Sequence, residues 1–404
     1  MVVAVRVAVA AASACGAVAG AAAAGCAKDY GAAPGPDALL DGVASDEGGA
    51  TDATTGDGPT AACDLAKIAA DPDNCGRCGH SCLGGGCAAG ACQPALLATV
   101  TATEVFGPVV DSSRVVFATS SQAGSRAQWC PKAGCGAGGP LAVDLPSSLT
   151  SRAAIATDGT NAYLGIVGGM GVGVFRLGQD ALLTPITPTD GTFQNADELG
   201  VAGTDVFFLN SFQPGEIGLY RVPADGTKKA QLIVPVQPSD RFTHLVGLAG
   251  RVFVSDFQSI ETCAGTSCAS LTVFADPSIT HLDITGLASD GVTLFWTSDT
   301  KLLLACAVGA TCTTPTAVVG SASIEGAVPI ALSIHGADLY VVTDAGTLFT
   351  CVASSCTTTF HRLATDELIV GMAAADDTAV YWLGGSRTVE AGTAQAFRLM
   401  RVAK

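Results

Sequence analysis

Four short cysteine pairs constrain this chain more than any other feature: Cys130 and Cys135, Cys263 and Cys268, Cys306 and Cys312, and Cys351 and Cys356. The last three pairs recur at steps of 43 and 45 residues, and the 133 residues between Cys130 and Cys263 hold three more steps of that size. Two cysteine-free strings fill the interval, VFRLG with Arg176 and LYRVP with Arg221, and AFRLM with Arg398 closes the chain. Positions 130, 176, 221, 263, 306, 351 and 398 then step by 46, 45, 42, 43, 45 and 47 residues, a period expected of propeller blades. Every unit carries a turn signal followed by a short β-branched and aromatic run, as in DSSRVVFAT, DGTNAYLGI and DGVTLFWTS. Runs this short, bounded by Gly, Asp and Ser, are strands rather than helices. A unit of this length holds four strands of about five to six residues, which is one blade. The expected fold class is therefore all-β, a seven-bladed β-propeller.

The last unit ends at AFRLMRVAK, after its third strand. The apolar stretch Ala95 to Phe106 lies unassigned ahead of the first unit and is expected to supply the missing fourth strand. Its pairing partner would be the strand around Phe397 to Arg401. Such closure removes the two open edges that a linear stack would leave as templates for aggregation.

Each cysteine pair falls where the third and fourth strands of a blade should meet. Facing positions across a hairpin are close enough for a disulfide, so four staples within blades are expected. One pair per blade places the pairs far apart on a ring, where four ligands cannot converge on zinc. Arginines at the three remaining positions imply that the fold does not depend on the staple.

The N-terminus, MVVAVRVAVAAASACGAVAGAAAAGC, has one early charge at Arg6, then an Ala/Val-rich run and small residues, and it resembles an export signal over residues 1–25. AAAAGC resembles a bacterial lipobox, with Cys26 as the lipidated first residue of the mature chain; Ala23 stands where leucine is usual. ASAC, ending at Cys15, is a second site that would leave too short an apolar core, and cleavage to a soluble secreted product is the alternative. Residues 26–62 are acidic and rich in Gly, Ala, Thr and Pro, a composition that cannot offset its ordering entropy and reads as a disordered tether. Residues 63–94 carry six cysteines, Cys63, Cys75, Cys78, Cys82, Cys87 and Cys92. In an exported chain this even count implies three disulfides in a module too small for a hydrophobic core, with fifteen connectivities open. Zinc at Cys75, Cys78 and His80 is the competing reading, disfavoured because thiols oxidise in that compartment. The propeller then spans residues 95–404.

With these residues in place, the run DPDNCGRCGHSCLGGGCAAGACQP, followed by WCPKAGCG and LYRVPADGT, resembles exported propeller lipoproteins of the myxobacterial type, over nearly the whole chain. The resemblance implies an architecture and a location at the outer membrane or cell surface, and no reaction.

A formal net charge of −16 repels phosphate backbones, which argues against nucleic-acid partners. Metalloprotease, phosphate-loop, nucleophile-elbow and dinucleotide motifs are absent from the sequence, and VGGMGVGVF from Val167 to Phe175 reads as a hairpin loop. One constellation stands out: Glu104, Ser151, Asp197, His244 and Asp283 occupy equivalent positions leading into five successive inner strands, near one mouth of the central channel. Carboxylates and an imidazole meeting there could hold a divalent cation. Blades six and seven offer Val328 and Ile369 instead, and polar residues are ordinary on a solvated rim, so neither metal nor cofactor is expected. His281, His335 and His361 fall in expected loops. The favoured functional class is a monomeric, non-enzymatic binding or scaffold protein, anchored to the membrane through lipid alone and engaging a protein or glycan at the cell surface. The alternative is a propeller hydrolase or lyase acting on extracellular glycans or lactones through the channel mouth.

Overall fold

The computed structural model describes residues 63–404 except 122, 147–152, 167–172, 189–195, 211–216, 236–241, 249, 257–258, 265–269, 277–283, 301, 320–322 and 387–392. Seven four-stranded antiparallel sheets follow one another along the chain, one sheet per repeat. Blade one comprises Glu104–Val110, Arg114–Ser121, Gly124–Pro131 and Leu141–Asp144, paired in that order. Blades two to six begin on first strands Ala153–Thr157, Glu198–Ala202, His244–Leu248, Ile284–Ser289 and Pro329–His335. Blade seven takes Leu368–Ala375, Ala379–Gly385 and Gln395–Ala403 from the end of the chain and its outermost strand, Ala95–Ala102, from the beginning.

The closing pair runs from Ala95 opposite Arg401 to Ala102 opposite Gln395, with a bulge between Leu96 and Ala98. Closure thus takes the predicted form, with one refinement. The stretch Ala95 to Phe106 divides at Thr103, so that Glu104 onward belongs to blade one.

Burial falls off across each blade. The second strand of blade one, RVVFATSS, is buried at all but its last position, whereas its fourth strand, LAVD, is almost wholly exposed. Second strands are covered on both faces by neighbouring blades, which is why they read as continuous apolar runs instead of alternating ones. Accordingly, the core lies between blades: Val116, Ala118 and Trp129 of blade one pack with Ile155, Leu164 and Phe175 of blade two. Val100, Phe397 and Tyr381 of blade seven pack with Val105, Val115 and Phe117 of blade one.

In four blades, one aspartate fixes the turn between the first and second strands. A side-chain oxygen accepts backbone N–H groups two and three residues on, from Ser113 and Arg114 to Asp111, Thr160 and Asn161 to Asp158, Val292 and Thr293 to Asp290, and Thr378 and Ala379 to Asp376. This is the local side-chain-to-backbone chemistry that makes Asp a turn residue. At the axis, first strands approach so closely that a Cβ on Gly286 would lie 2.9 Å from the Leu332 amide nitrogen of the next blade. Only glycine fits there.

Disulfides join Cys130 to Cys135, Cys306 to Cys312 and Cys351 to Cys356. Cys263 is also disulfide-bonded; Cys268 lies outside the described residues. The staple differs in form from a facing pair across a hairpin. Its first cysteine sits on the third strand, opposite the second strand as Cys130 is opposite Val115, and its second lies in the following connection. Cys356 opens a one-turn helix, Cys356–Thr359. Cys312 forms a bridge with Ala275, so the staple of blade five also touches the outer strand of blade four.

The three arginines are not the equivalents of these cysteines. Counting from the turn, the residues matching Cys130 are Leu177, Val222 and Val402, opposite Ala162, Val206 and Val380. All three are buried, so an aliphatic side chain replaces the half-cystine. Arg176 and Arg221 lie one residue earlier and Arg398 four. Two of the predicted loop histidines end strands instead: His335 closes Pro329–His335 and His361 opens His361–Thr365. His281 lies outside the described residues, as do residues 167–172 of the glycine-rich string.

The cysteine-rich module has the connectivity Cys63–Cys78, Cys75–Cys87 and Cys82–Cys92, and its only regular structure is a ribbon of Cys87–Ala88 with Ala91–Cys92. It docks against blade seven. The His80 ring spans two carbonyl oxygens, Cys75 at 2.6 Å from Nδ1 and Lys404 at 2.5 Å from Nε2. Arg401, nearly buried, donates from Nη2 to the Leu83 carbonyl of the module and from Nη1 to the Lys132 carbonyl of blade one. Lys132 in turn pairs with Asp376 at 3.2 Å.

Candidate functional site

The first strands converge on a central cavity of about 410 Å³. Each blade contributes apolar wall, through Phe106, Ile155, Leu199, Leu245, Leu287, Leu332 and Val370. Ile330 and Met372 also line it and stay 37% and 40% exposed, because the space beside them is the lumen and not another blade. Among the described residues, the polar side chains of the wall lie on one side: Asp197 and Glu198 of blade three, His244 of blade four and Thr285 of blade five.

Of the residues singled out from the sequence, Asp197 and His244 do reach this wall. Glu104 is exposed at the start of blade one's first strand, next to the wall residue Val105 and not itself part of the cavity. Ser151 and Asp283 lie outside the described residues. Glu198 was missed. The acidic doublet with Asp197 was its signal, since both of its residues line the cavity.

Desolvation dominates the electrostatics. It raises the Glu104 carboxyl above its ordinary pKa. For the imidazole of His244 it works in the opposite sense, because the charged form is the protonated one. Burial lowers the His244 pKa to about 4, against a hydrogen bond to the Ile284 backbone that favours the proton. His244 is therefore a neutral, polar element of the wall at neutral pH. In the unfolded chain the imidazole takes up a proton near pH 6.5, whereas the native chain resists until about pH 4. The unfolded state binds more protons throughout that interval, so stability falls as pH is lowered through it. Denaturant midpoints measured from pH 7 to pH 4 should show His244 contributing a loss of up to about 3 kcal/mol. His244→Asn should remove that part of the slope; parallel pH profiles for the two proteins would refute the assignment.

Among the described residues, no three Asp, Glu or His side chains bring ligand atoms within 4.8 Å of one another. Cys75, Cys82 and Cys92 do meet that distance, but each sulfur is in a disulfide and offers no thiolate for a metal.

A second concavity, about 520 Å³, lies between blades two and three and is polar, bordered by Asp158, Tyr163, Arg176, Asp205, Asp225 and Lys228. Tyr163 donates to Asp158 at 2.7 Å. Burial works to raise the Asp158 pKa, but the hydrogen bonds from Asn161, Tyr163 and Thr160 together hold it below the ordinary value. Burial and the Asp158 charge push the Tyr163 phenol upward. Both groups thus keep their neutral-pH charge states, and the groove presents mixed, fixed charges.

No protein-family model and no curated protein sequence matches the chain. Among solved structures, the WD40 domain of Pan2 from Neurospora crassa aligns with a TM-score of 0.51 at 7% identity, over 76% of this chain and 95% of that one. A computationally designed protein, Ika8, aligns at 0.48 with 15% identity, over 73% and 83% of the two chains. At such identities the Pan2 likeness speaks to the fold alone.

Proposed function

We propose that the chain is an exported, lipid-anchored propeller that binds a protein or glycan partner at the cell envelope, akin to the propeller lipoproteins its cysteine-rich run resembles. One observation carries the location: all thirteen cysteines among the described residues are in disulfides, which form and persist in oxidising compartments. The AAAAGC string supplies a lipidation site at Cys26 and the acidic segment behind it a tether. Binding is supported by the rigid closed ring and by the groove at Asp158, Arg176, Asp225 and Lys228, whose mixed charges suit a polar partner better than an anionic one.

The test is fractionation of cells expressing the full chain. Wild-type protein should sediment with membranes and carry a diacylglycerol-modified Cys26 by mass spectrometry, and Cys26→Ala should move it to the soluble fraction. An unmodified soluble N-terminus in the wild type would reject the anchor.

A further inference from the structure

We propose that the groove between blades two and three receives a lysine side chain and a main-chain carbonyl from a loop of a protein partner, a proposal that rests on the reading of this groove as the binding surface. The ring contains a filled counterpart at the seam between blades seven and one. There Tyr381 on the second strand faces Arg401 on the third and donates to the turn aspartate Asp376 at 3.2 Å. Two groups from outside blade seven occupy the seam. Lys132 of blade one places its ammonium 3.2 Å from Asp376, and Arg401 holds the Leu83 carbonyl of the cysteine-rich module. The seam between blades six and seven repeats the ammonium contact. Lys404 lies 3.2 Å from Asp338 and 5.3 Å from the centre of the Tyr340 ring, while Tyr340 donates to Asp338 at 3.3 Å.

Blade two carries the same set as blade seven. Tyr163 faces Arg176 in the register and donates to the turn aspartate Asp158 at 2.7 Å. The difference lies in the blade that follows. Lys132 and Lys404 each stand two residues after a matched position of the third strand, Cys130 and Val402; in blade three that position is Val222, and two residues on stands Ala224. A methyl group cannot span the seam, and the groove of about 520 Å³ that Ala224 borders stays open. Its bordering turns, 158–161, 203–204 and 224–230, lie wholly among the described residues. Hydrogen bonds within the turn do not use up such an aspartate. Asp376 accepts from Thr378, Ala379 and Tyr381 and still takes Lys132, and Asp158 accepts from Thr160, Asn161 and Tyr163 in the same manner. Arg176 holds the place that in blade seven serves a carbonyl of another module, and its charge reaches Tyr163 and Asp225 in the groove. A protein loop offers an ammonium and a main-chain carbonyl together; a neutral glycan offers no ammonium.

Calorimetric titration of the full chain with acetyl-Gly-Lys-Gly-amide, and with the same peptide carrying norleucine or Nε-acetyl-lysine, tests the assignment. The lysine peptide should bind one to one and at least about fivefold more tightly than either neutral peptide. Ala224→Lys supplies the ammonium from within the ring, so it should weaken the lysine peptide at least about tenfold and raise the melting temperature by about 1–2 °C. Asp158→Asn, which keeps a turn-forming side chain, should weaken the lysine peptide at least about fivefold and cancel the thermal gain of Ala224→Lys. Arg176→Gln should weaken all three peptides alike, because their carbonyls are common. Circular dichroism verifies that each variant is folded. The proposal is overturned if the lysine peptide does not bind, if a neutral peptide matches it, or if Ala224→Lys leaves its binding unchanged. It is overturned equally if Ala224→Lys stabilises the Asp158→Asn background as much as the wild type. Binding of chitotetraose in place of the lysine peptide would overturn it while leaving the groove a binding surface, and neither result bears on anchoring at Cys26.

Discussion

Deletion of residues 95–102 should abolish the cooperative unfolding of the propeller at ordinary temperature, although the segment is a small part of the ring. This strand is the only partner on the outer side of Gln395–Ala403, with seven register pairs from Ala95–Arg401 to Ala102–Gln395. Its Ala98, Val100 and Ala102 are buried in one cluster with Val105, Val115 and Phe117 of blade one and Tyr381, Phe397 and Leu399 of blade seven. Removing it opens that cluster to water and leaves a long sheet edge unpaired. At about 1.5–3 kcal/mol for each large side chain exposed, the loss is on the order of 5–10 kcal/mol, comparable with the whole stability of a typical protein. Keeping the ends of the chain together across about 300 residues costs little by comparison, since loop entropy grows only logarithmically with length. Guanidinium titration followed by tryptophan fluorescence reads the effect, and a synthetic peptide of residues 94–103 should restore the transition when added to the deleted protein. An unchanged midpoint would mean that the ring does not rely on its clasp.

Arg114→Met should be the most damaging single substitution in the inter-blade core. The Asp111 and Arg114 side chains are 0% and 7% exposed and pair at 2.7 Å. Arg114 also donates from Nε to Asp111 at 2.8 Å and from Nη1 to the Gly178 carbonyl of blade two at 2.9 Å, so the guanidinium ties two blades together. Methionine can fill the volume, but it strands the buried Asp111 charge, while the Gly178 carbonyl keeps the Ala181 N–H. Breaking a buried pair in this way costs about 3–5 kcal/mol. The double variant Asp111→Asn, Arg114→Met removes the stranded charge while keeping a turn-forming side chain at residue 111, and it should recover at least half of the loss. A double variant no more stable than Arg114→Met alone would show that packing, not charge, sets the cost.

Why some of this was readable beforehand and some was not follows from the residues themselves. Half-cystines announce the repeat because they are rare and covalent. Their counterparts in the other blades, Leu177, Val222 and Val402, are single apolar residues in apolar strands and leave no mark. The arginines beside them, half-buried, stand out instead, and in blade seven, where the third strand runs nine residues from Gln395 to Ala403, the offset reaches four. Asp197 and His244 were legible because each lies where a first strand begins. The apolar channel wall was not, since Leu199, Leu245 and Leu287 look like any other strand residue until seven first strands share one axis. The docking of the cysteine-rich module was hidden for a different reason: His80 and Arg401 bind to backbone carbonyls, and every residue has one of those.

The composite blade also imposes an order on synthesis. Residues 95–102 leave the ribosome ahead of every other strand of the ring, and their partner, residues 395–403, leaves last. A nascent chain therefore carries an orphaned strand through the making of six complete blades, and any product broken off early can never retire it. Chains that include residues 395–404 hide this segment, while shorter fragments display it, together with the unoccupied docking face of the cysteine-rich module. Closure of the ring thus becomes a property that a protease or chaperone can read directly from the surface.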